Sequence, residues 1–152
     1  MISIYLIGAL KNWAIVDLAN CLTAEGFDVF ADWITPGPDA DTYLLKYAKL
    51  RGWSYKQALN SYAATHVFEF DKSHIDGSDL VIMVMPAGKS GHLELGYARG
   101  CGKPGYILFD KEPERFDVMY RFATGLFFDK DSLIKELRRV YAESIPGIAV
   151  RS

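Results

Sequence analysis

"ISIYLIGALKNWAIVDLANCLTAEGFDVFADW", residues 2–33, places a strand, a helix and a second strand in one short run. Ile2 to Gly8 is β-branched and aromatic and ends in glycine, so it reads as a buried strand. Asn12 is positioned to cap the helix that follows. Ile15, Leu18, Ala19 and Leu22 then recur at i, i+3, i+4 and i+7, one apolar helical face, and Gly26 stops it. Phe27 to Trp33 reads as the second strand. A strand–helix–strand unit this short demands a parallel sheet.

Working outward, "SDLVIMVMP" (Ser78 to Pro86) reads as a third strand, buried on both faces, with a helix from about Ser90 to Gly100. "GKPGYILFD" (Gly102 to Asp110) and "GLFFD" (Gly125 to Asp129) read as strands four and five. Leu133, Ile134, Leu137 and Tyr141 mark a terminal helix. Pro36 and Pro38 break the chain after strand two. Asp39 to Ser78 is then mostly helical, punctuated at Arg51-Gly52, and is long for a crossover. It is expected to form two or three helices serving as a lid or a subunit surface. Alternating β and α elements imply a flavodoxin-like, doubly wound α/β fold. The expectation is a five-stranded parallel sheet of order 2-1-3-4-5, a helical insertion between strands 2 and 3, and a single domain over residues 1–152. In such sheets ligands bind beyond the carboxyl ends of the strands, near the switch between strands 1 and 3.

Bulk composition narrows the function classes. The chain has 152 residues, half of them hydrophobic, and a net charge of −2. That balance argues against a nucleic-acid polymer as partner, which calls for a basic patch. No apolar run is long enough to span a bilayer. "MISIYLIGAL" has neither a basic leader nor a cleavage site, and Cys21 and Cys101 read as reduced core thiols, so a cytoplasmic protein is expected. His66, His74 and His92 have no ligand spacing with cysteine, and no HExxH or CxxC occurs, so no metal is expected. "IGALKN" is neither a phosphate-binding P-loop nor a dinucleotide fingerprint, and no cofactor is expected.

The switch-point rule singles out Gly8 and Ala9 after strand 1, and Pro86 to Glu94 after strand 3. Glu94 is one acid in an apolar, small-residue helix. It reads either as a charge favoured by the helix N-terminus or as a functional carboxylate. Gly88, Ser90 and Gly91 leave backbone N–H groups open to an anionic or hydroxyl-rich ligand. Leu93, Leu95 and Tyr97 are expected to dry the surroundings of Glu94. Asp71 shares a helical face with Val67, His74, Ile75 and Ser78, so it is expected to point at the sheet, as a cap, a partner for His74 or a functional acid. Tyr5 alternates with Ile4 and Leu6. Its buried hydroxyl needs a partner, and Glu94 is geometrically available. Asp79, before strand 3, lies at the opposite edge and reads as a turn or cap residue.

"IYLIGAL", Asp71 and "SDLVIMVMPAGKSGHLELGYARGCGKP" together resemble the nucleoside 2-deoxyribosyltransferase family and its relatives, the N-glycosidases of nucleoside 5′-monophosphates. The likeness covers most of the chain and is weakest over Pro36 to Thr65. It implies Glu94 as the nucleophile that attacks the anomeric carbon and forms a glycosyl-glutamate. It implies Asp71 as the acid assisting at base or sugar, and Tyr5 as the residue holding the glutamate. Gly8, Ala9, Gly88, Lys89, Ser90 and Gly91 would cradle the sugar and its 5′ end. The family also implies a homo-oligomer, dimer or higher, whose neighbouring subunit completes the pocket. Met119, Tyr120 and Arg121 occupy the matching stretch, "VMYRFATG". The loop "AGKSGH" lacks an acid that the transferases often carry. Lys89 and Arg121 would instead suit a 5′-phosphate. The substrate is thus expected to be a small nucleoside or nucleotide, with transfer and hydrolysis both open and a non-catalytic nucleotide-binding relative as the alternative.

Overall fold

A computed structural model describes residues 1–144. Five parallel strands form one sheet of order β2-β1-β3-β4-β5: β1 Ser3–Ile7, β2 Asp28–Phe30, β3 Leu80–Val84, β4 Gly105–Leu108 and β5 Gly125–Phe127. The helices are α1 Ala14–Ala24, α2 Ala40–Leu50, α3 Tyr55–Leu59, α4 Tyr62–Gly77, α5 Lys89–Gly100 and α6 Lys130–Tyr141. The expected flavodoxin-like order is the observed one, and the insertion between β2 and β3 is α2, α3 and α4.

Strand parity decides what each helix meets. Ile4 and Leu6 of β1, with Leu80, Ile82 and Val84 of β3, face α1 and α6 through Ile15, Leu18, Leu22, Leu133 and Leu137. Tyr5 and Ile7, with Val81 and Met83, face the other way, onto Ile75 of α4 and Leu95 and Ala98 of α5. A side-chain period of two sends neighbours to opposite faces, so Tyr5 must lie under α4 and α5. Right-handed crossovers explain the split. The chain leaves β1 for β2 through α1 on one face and returns to β3 through the insertion on the other.

Two close approaches set the switch point. A Cβ on Gly8 would lie 2.3 Å from Ile15 Cδ1 and 3.3 Å from the Val84 carbonyl. A Cβ on Gly91 would lie 3.0 Å from Ile7 and 3.2 Å from Ala87. Both glycines let the chain turn tightly over the carboxyl ends of β1 and β3, and Gly91 lets the first turn of α5 rest on the sheet.

Several local readings need correction. Asn12 does not cap α1. Its amide donates to the Met85 carbonyl at 3.4 Å, bridging the ends of the two central strands, and the helix begins after Trp13 without a side-chain cap. Trp33 lies in a 3-10 turn, where its indole N–H donates to the Leu6 carbonyl at 2.7 Å. Cys101 is exposed just past α5, and Cys21 is only half-buried; both are free thiols. Asp79 does act at the far edge, accepting from the Ser3 backbone N–H at 2.8 Å and its hydroxyl at 3.1 Å.

Candidate active site

Glu94 sits in the second turn of α5, not the first, beside the sheet-facing Gly91, Leu95 and Ala98. Tyr5 reaches it from β1 and Asp71 from α4, so three elements converge at the switch point. Burial pushes the Glu94 carboxyl up, the Asp71 charge adds to this, and hydrogen bonding from Tyr5 opposes it, leaving it at about 7. Burial also raises Asp71, opposed by His74. Tyr5 lies far above the usual phenol range. Burial dominates, followed by the charges of Glu94 and Asp71 and its hydrogen bond to Glu94. Tyr5 is therefore a neutral donor at any working pH. The Asp71 charge thus disfavours ionisation of Glu94 beside it.

The drying of Glu94 has a different source from the one expected. Leu93 is 75% exposed, and Tyr97 points outward with its hydroxyl on Asp76 at 2.6 Å. Tyr5 of β1 and Asp71 of α4 are the groups beside the buried carboxyl instead. Val67 is likewise exposed, one turn above the half-buried Asp71, so the sheet-facing stripe of α4 begins at Asp71. Beneath it runs an aromatic stack that sequence reading missed. Phe30 stacks on Tyr5 at 5.5 Å between ring centroids and on His74 at 3.8 Å, and Phe70 packs its edge on Phe30. His74 Nδ1 pairs with the Phe70 carbonyl at 2.8 Å. The stack locks the Tyr5 ring from behind.

Gly88 and Lys89, with Ala87, His92 and Leu93, line an open cleft of about 660 Å³ at the N-terminus of α5. Ser90 is exposed in the same turn and Gly91 is buried behind it, while Gly8 and Ala9 lie half-buried at the end of β1. Glu94, one residue beyond Leu93, does not line this cleft. His92 also borders the cleft, a placement its sequence spacing does not signal. Its Nδ1 pairs with the Gly88 carbonyl at 2.7 Å and its Nε2 with the Tyr120 hydroxyl at 3.2 Å.

Met119, Tyr120 and Arg121 are not brought onto Glu94 of the same chain. They lie in a 3-10 turn, Val118–Phe122, where Met119 and Tyr120 line a second groove with Leu95, Gly96 and Arg99. Tyr120 is half-buried, with its ring edge-on to Phe109 at 5.4 Å between centroids. Met119 and Arg121 are exposed. Among the described residues, no group of three or more His, Cys, Asp or Glu side chains is placed to hold a metal ion. No helix there is long and apolar enough to cross a membrane.

This arrangement lies on a known scaffold. A 2-deoxyribosyltransferase from the psychrotolerant bacterium Bacillus psychrosaccharolyticus matches with a TM-score of 0.58 at 19% identity, over 86% of this chain and 89% of that one. The chain shares its fold. The CMP N-glycosidase of Clostridium botulinum matches with a TM-score of 0.55 at 17% identity, over 89% and 97% of the two chains. No protein-family model and no curated protein matches the sequence.

The raised Glu94 carboxyl makes stability depend on pH. The folded chain holds this proton more tightly than the unfolded chain, whose value is near 4.5. The stabilisation is present below that value and is lost as pH rises through about 7. Glu94→Gln removes the titration. The variant should therefore be more stable than wild type at pH 8, by on the order of 2 kcal/mol, with the gap closing near pH 5. Urea unfolding at the two pH values checks this, and a gap independent of pH would refute it.

Proposed function

We propose that this protein cleaves or transfers the N-glycosidic bond of a nucleoside or nucleoside 5′-monophosphate through a glycosyl-Glu94 intermediate. The observation that carries the reading is the convergence of Glu94, Asp71 and Tyr5 at the β1/β3 switch point. The two solved chains of this fold, a 2-deoxyribosyltransferase and a CMP N-glycosidase, support the same bond as the target.

The chemistry follows from the roles. Glu94 attacks the anomeric carbon as the N-glycosidic bond breaks, and the electron pair leaves with the base nitrogen. In the form that reacts, the proton lies on Asp71 and the charge on Glu94; Asp71 gives that proton to the base, so a neutral base departs. The ester between Glu94 and the sugar splits one difficult step into two. Asp71, now a carboxylate, takes the proton of water or of a second base as it attacks the same carbon and releases Glu94, which gives hydrolysis or transfer. Two inversions at one carbon retain configuration, as in retaining glycosidases. Tyr5 holds the carboxylate rotamer and, as a neutral donor, lowers its proton affinity toward the ionised form that attacks.

A 5′-monophosphate is favoured by one observation. The first turn of α5 presents unpaired N–H groups with Lys89 beside them and His92 one turn on, which suits a dianion. A homo-oligomer with a shared site is supported by the apolar surface of the insertion and the late turn. Tyr43, Leu50, Tyr62 and Phe68 are at least 60% exposed, as are Met119 and Phe122.

The test is chromatography of the protein with a panel of nucleosides and 5′-monophosphates, with and without a free acceptor base. Base release only from wild type, and not from Glu94→Gln, is the expected result. A new nucleoside in the presence of acceptor identifies transfer. Bound but intact ligand across the panel would overturn the catalytic reading in favour of a nucleotide-binding protein.

A further inference from the structure

The two candidate carboxyls stand on separate helices, and a set of hydrogen bonds ties those helices together. Asp71 belongs to α4 and Glu94 to α5. Both helices return from the carboxyl edge of a parallel sheet, so they run side by side in the same direction. About one turn nearer their C-terminal ends, a second set of side chains spans the same gap. The Tyr97 hydroxyl of α5 donates to Asp76 Oδ1 of α4 at 2.6 Å. Lys72 Nζ donates to the other oxygen, Asp76 Oδ2, at 2.8 Å, and lies 5.4 Å from the Tyr97 ring centroid. Lys103, just beyond α5, donates to the Asp76 carbonyl at 2.9 Å and to the Ser78 carbonyl at 2.5 Å, fixing the end of α4.

We propose that Tyr97 and Asp76 are positioning residues that hold Glu94 against Asp71. Tyr97 lies three residues after Glu94 on α5, so a pull on one is felt by the other. Asp76 is kept ionised by its hydrogen bonds from Lys72 and Tyr97, which lower it below the usual carboxylate range. A charged acceptor makes the Tyr97 bond short and directional. An exposed ion pair alone contributes little to folding. Here it bridges α4 and α5 about one turn from Asp71 and Glu94, so its effect falls on the separation of the two carboxyls. That this separation governs turnover rests on the proposed glycosyl-transfer reading; that it governs Glu94 ionisation does not.

The charged and titratable groups around the pair are few. Glu94 is faced by Tyr5 from β1 and Asp71 from α4, and Asp71 by His74. Tyr97 is faced by Asp76, Lys72 and Cys101.

The experiment is a carboxyl-carbon NMR titration of Glu94 in the full chain, beside turnover of the substrate found in the panel. Tyr97→Phe deletes one hydroxyl from a partly exposed ring and leaves packing intact. It should move the Glu94 midpoint down from about 7, because the carboxyls separate. In an Asp71→Asn background the same change should move nothing. Asp76→Asn keeps an oxygen for the Tyr97 hydroxyl and should retain most of the midpoint, whereas Asp76→Ala should reproduce Tyr97→Phe. Turnover in Tyr97→Phe should fall about tenfold in kcat, with KM little changed. An unmoved midpoint in Tyr97→Phe, or an equal shift with and without Asp71, would overturn the proposal. A wild type that turns nothing over, yet shows the Asp71-dependent shift, would remove the glycosyl-transfer reading and support the positioning.

Discussion

Glu94→Gln should fold, bind nucleoside or nucleotide, and lose turnover by roughly 10³-fold or more. The amide keeps the size of the side chain and an oxygen for the Tyr5 hydroxyl, so the pocket shape survives. It cannot donate an electron pair to the anomeric carbon at a useful rate, so the covalent route closes. Isothermal titration and the chromatographic assay together check this. The expected pattern is near-normal affinity with no base released, and undiminished turnover would remove Glu94 as nucleophile. Intact mass of wild type quenched during turnover adds an independent readout, since a glycosyl adduct should appear on the wild-type chain and be missing from the variant. The same variant is expected to be the more stable protein at pH 8. A gain in stability with a loss of activity is the signature of a carboxylate held in unfavourable surroundings for its chemistry.

The sequence made the sheet legible because each strand is short, apolar and bounded by glycine or proline, and because a parallel order leaves few topologies. Tyr5 was legible for the same reason. A period of two places it on the face opposite Ile4 and Leu6, and only α4 and α5 can lie there. Asp71 was legible from a period of 3.6, although Val67 one turn earlier escapes the sheet. What stayed hidden depends on distances through space. Phe30, Phe70 and His74 come from a strand and a helix separated by the whole early insertion, and no spacing rule links them. The surroundings of Glu94 were misassigned because Leu93 and Tyr97 look apolar beside it in the chain. On the helix they turn toward solvent and toward Asp76, while the groups beside Glu94 come from β1 and α4. Asn12 resembled a cap because its type and position fit one. Its amide found the Met85 carbonyl, an acceptor that only the fold brings near.

Asp71→Asn should lower kcat by about 10²-fold while leaving KM within a few-fold of wild type. The asparagine retains the hydrogen-bonding shape but cannot deliver a proton, so the loss belongs to the departure of the base. It should be greatest for bases whose anions are poor leaving groups and small for those that leave unaided. The substitution also removes the negative charge that helps hold Glu94 near 7. With that charge gone the Glu94 carboxyl ionises at lower pH, so the limb of the pH–rate profile set by the nucleophile should move down. Tyr5, raised in part by the same charge, should move down as well and remain protonated at working pH. A rate profile recorded from pH 5 to 8 with a good and a poor leaving base separates the two effects. Equal losses for both bases would show that Asp71 does not donate the proton, and a limb that does not move would show that Glu94 does not sense the Asp71 charge. A loss confined to the poor leaving base, with the limb displaced downward, would establish the two carboxyls as one coupled acid and nucleophile.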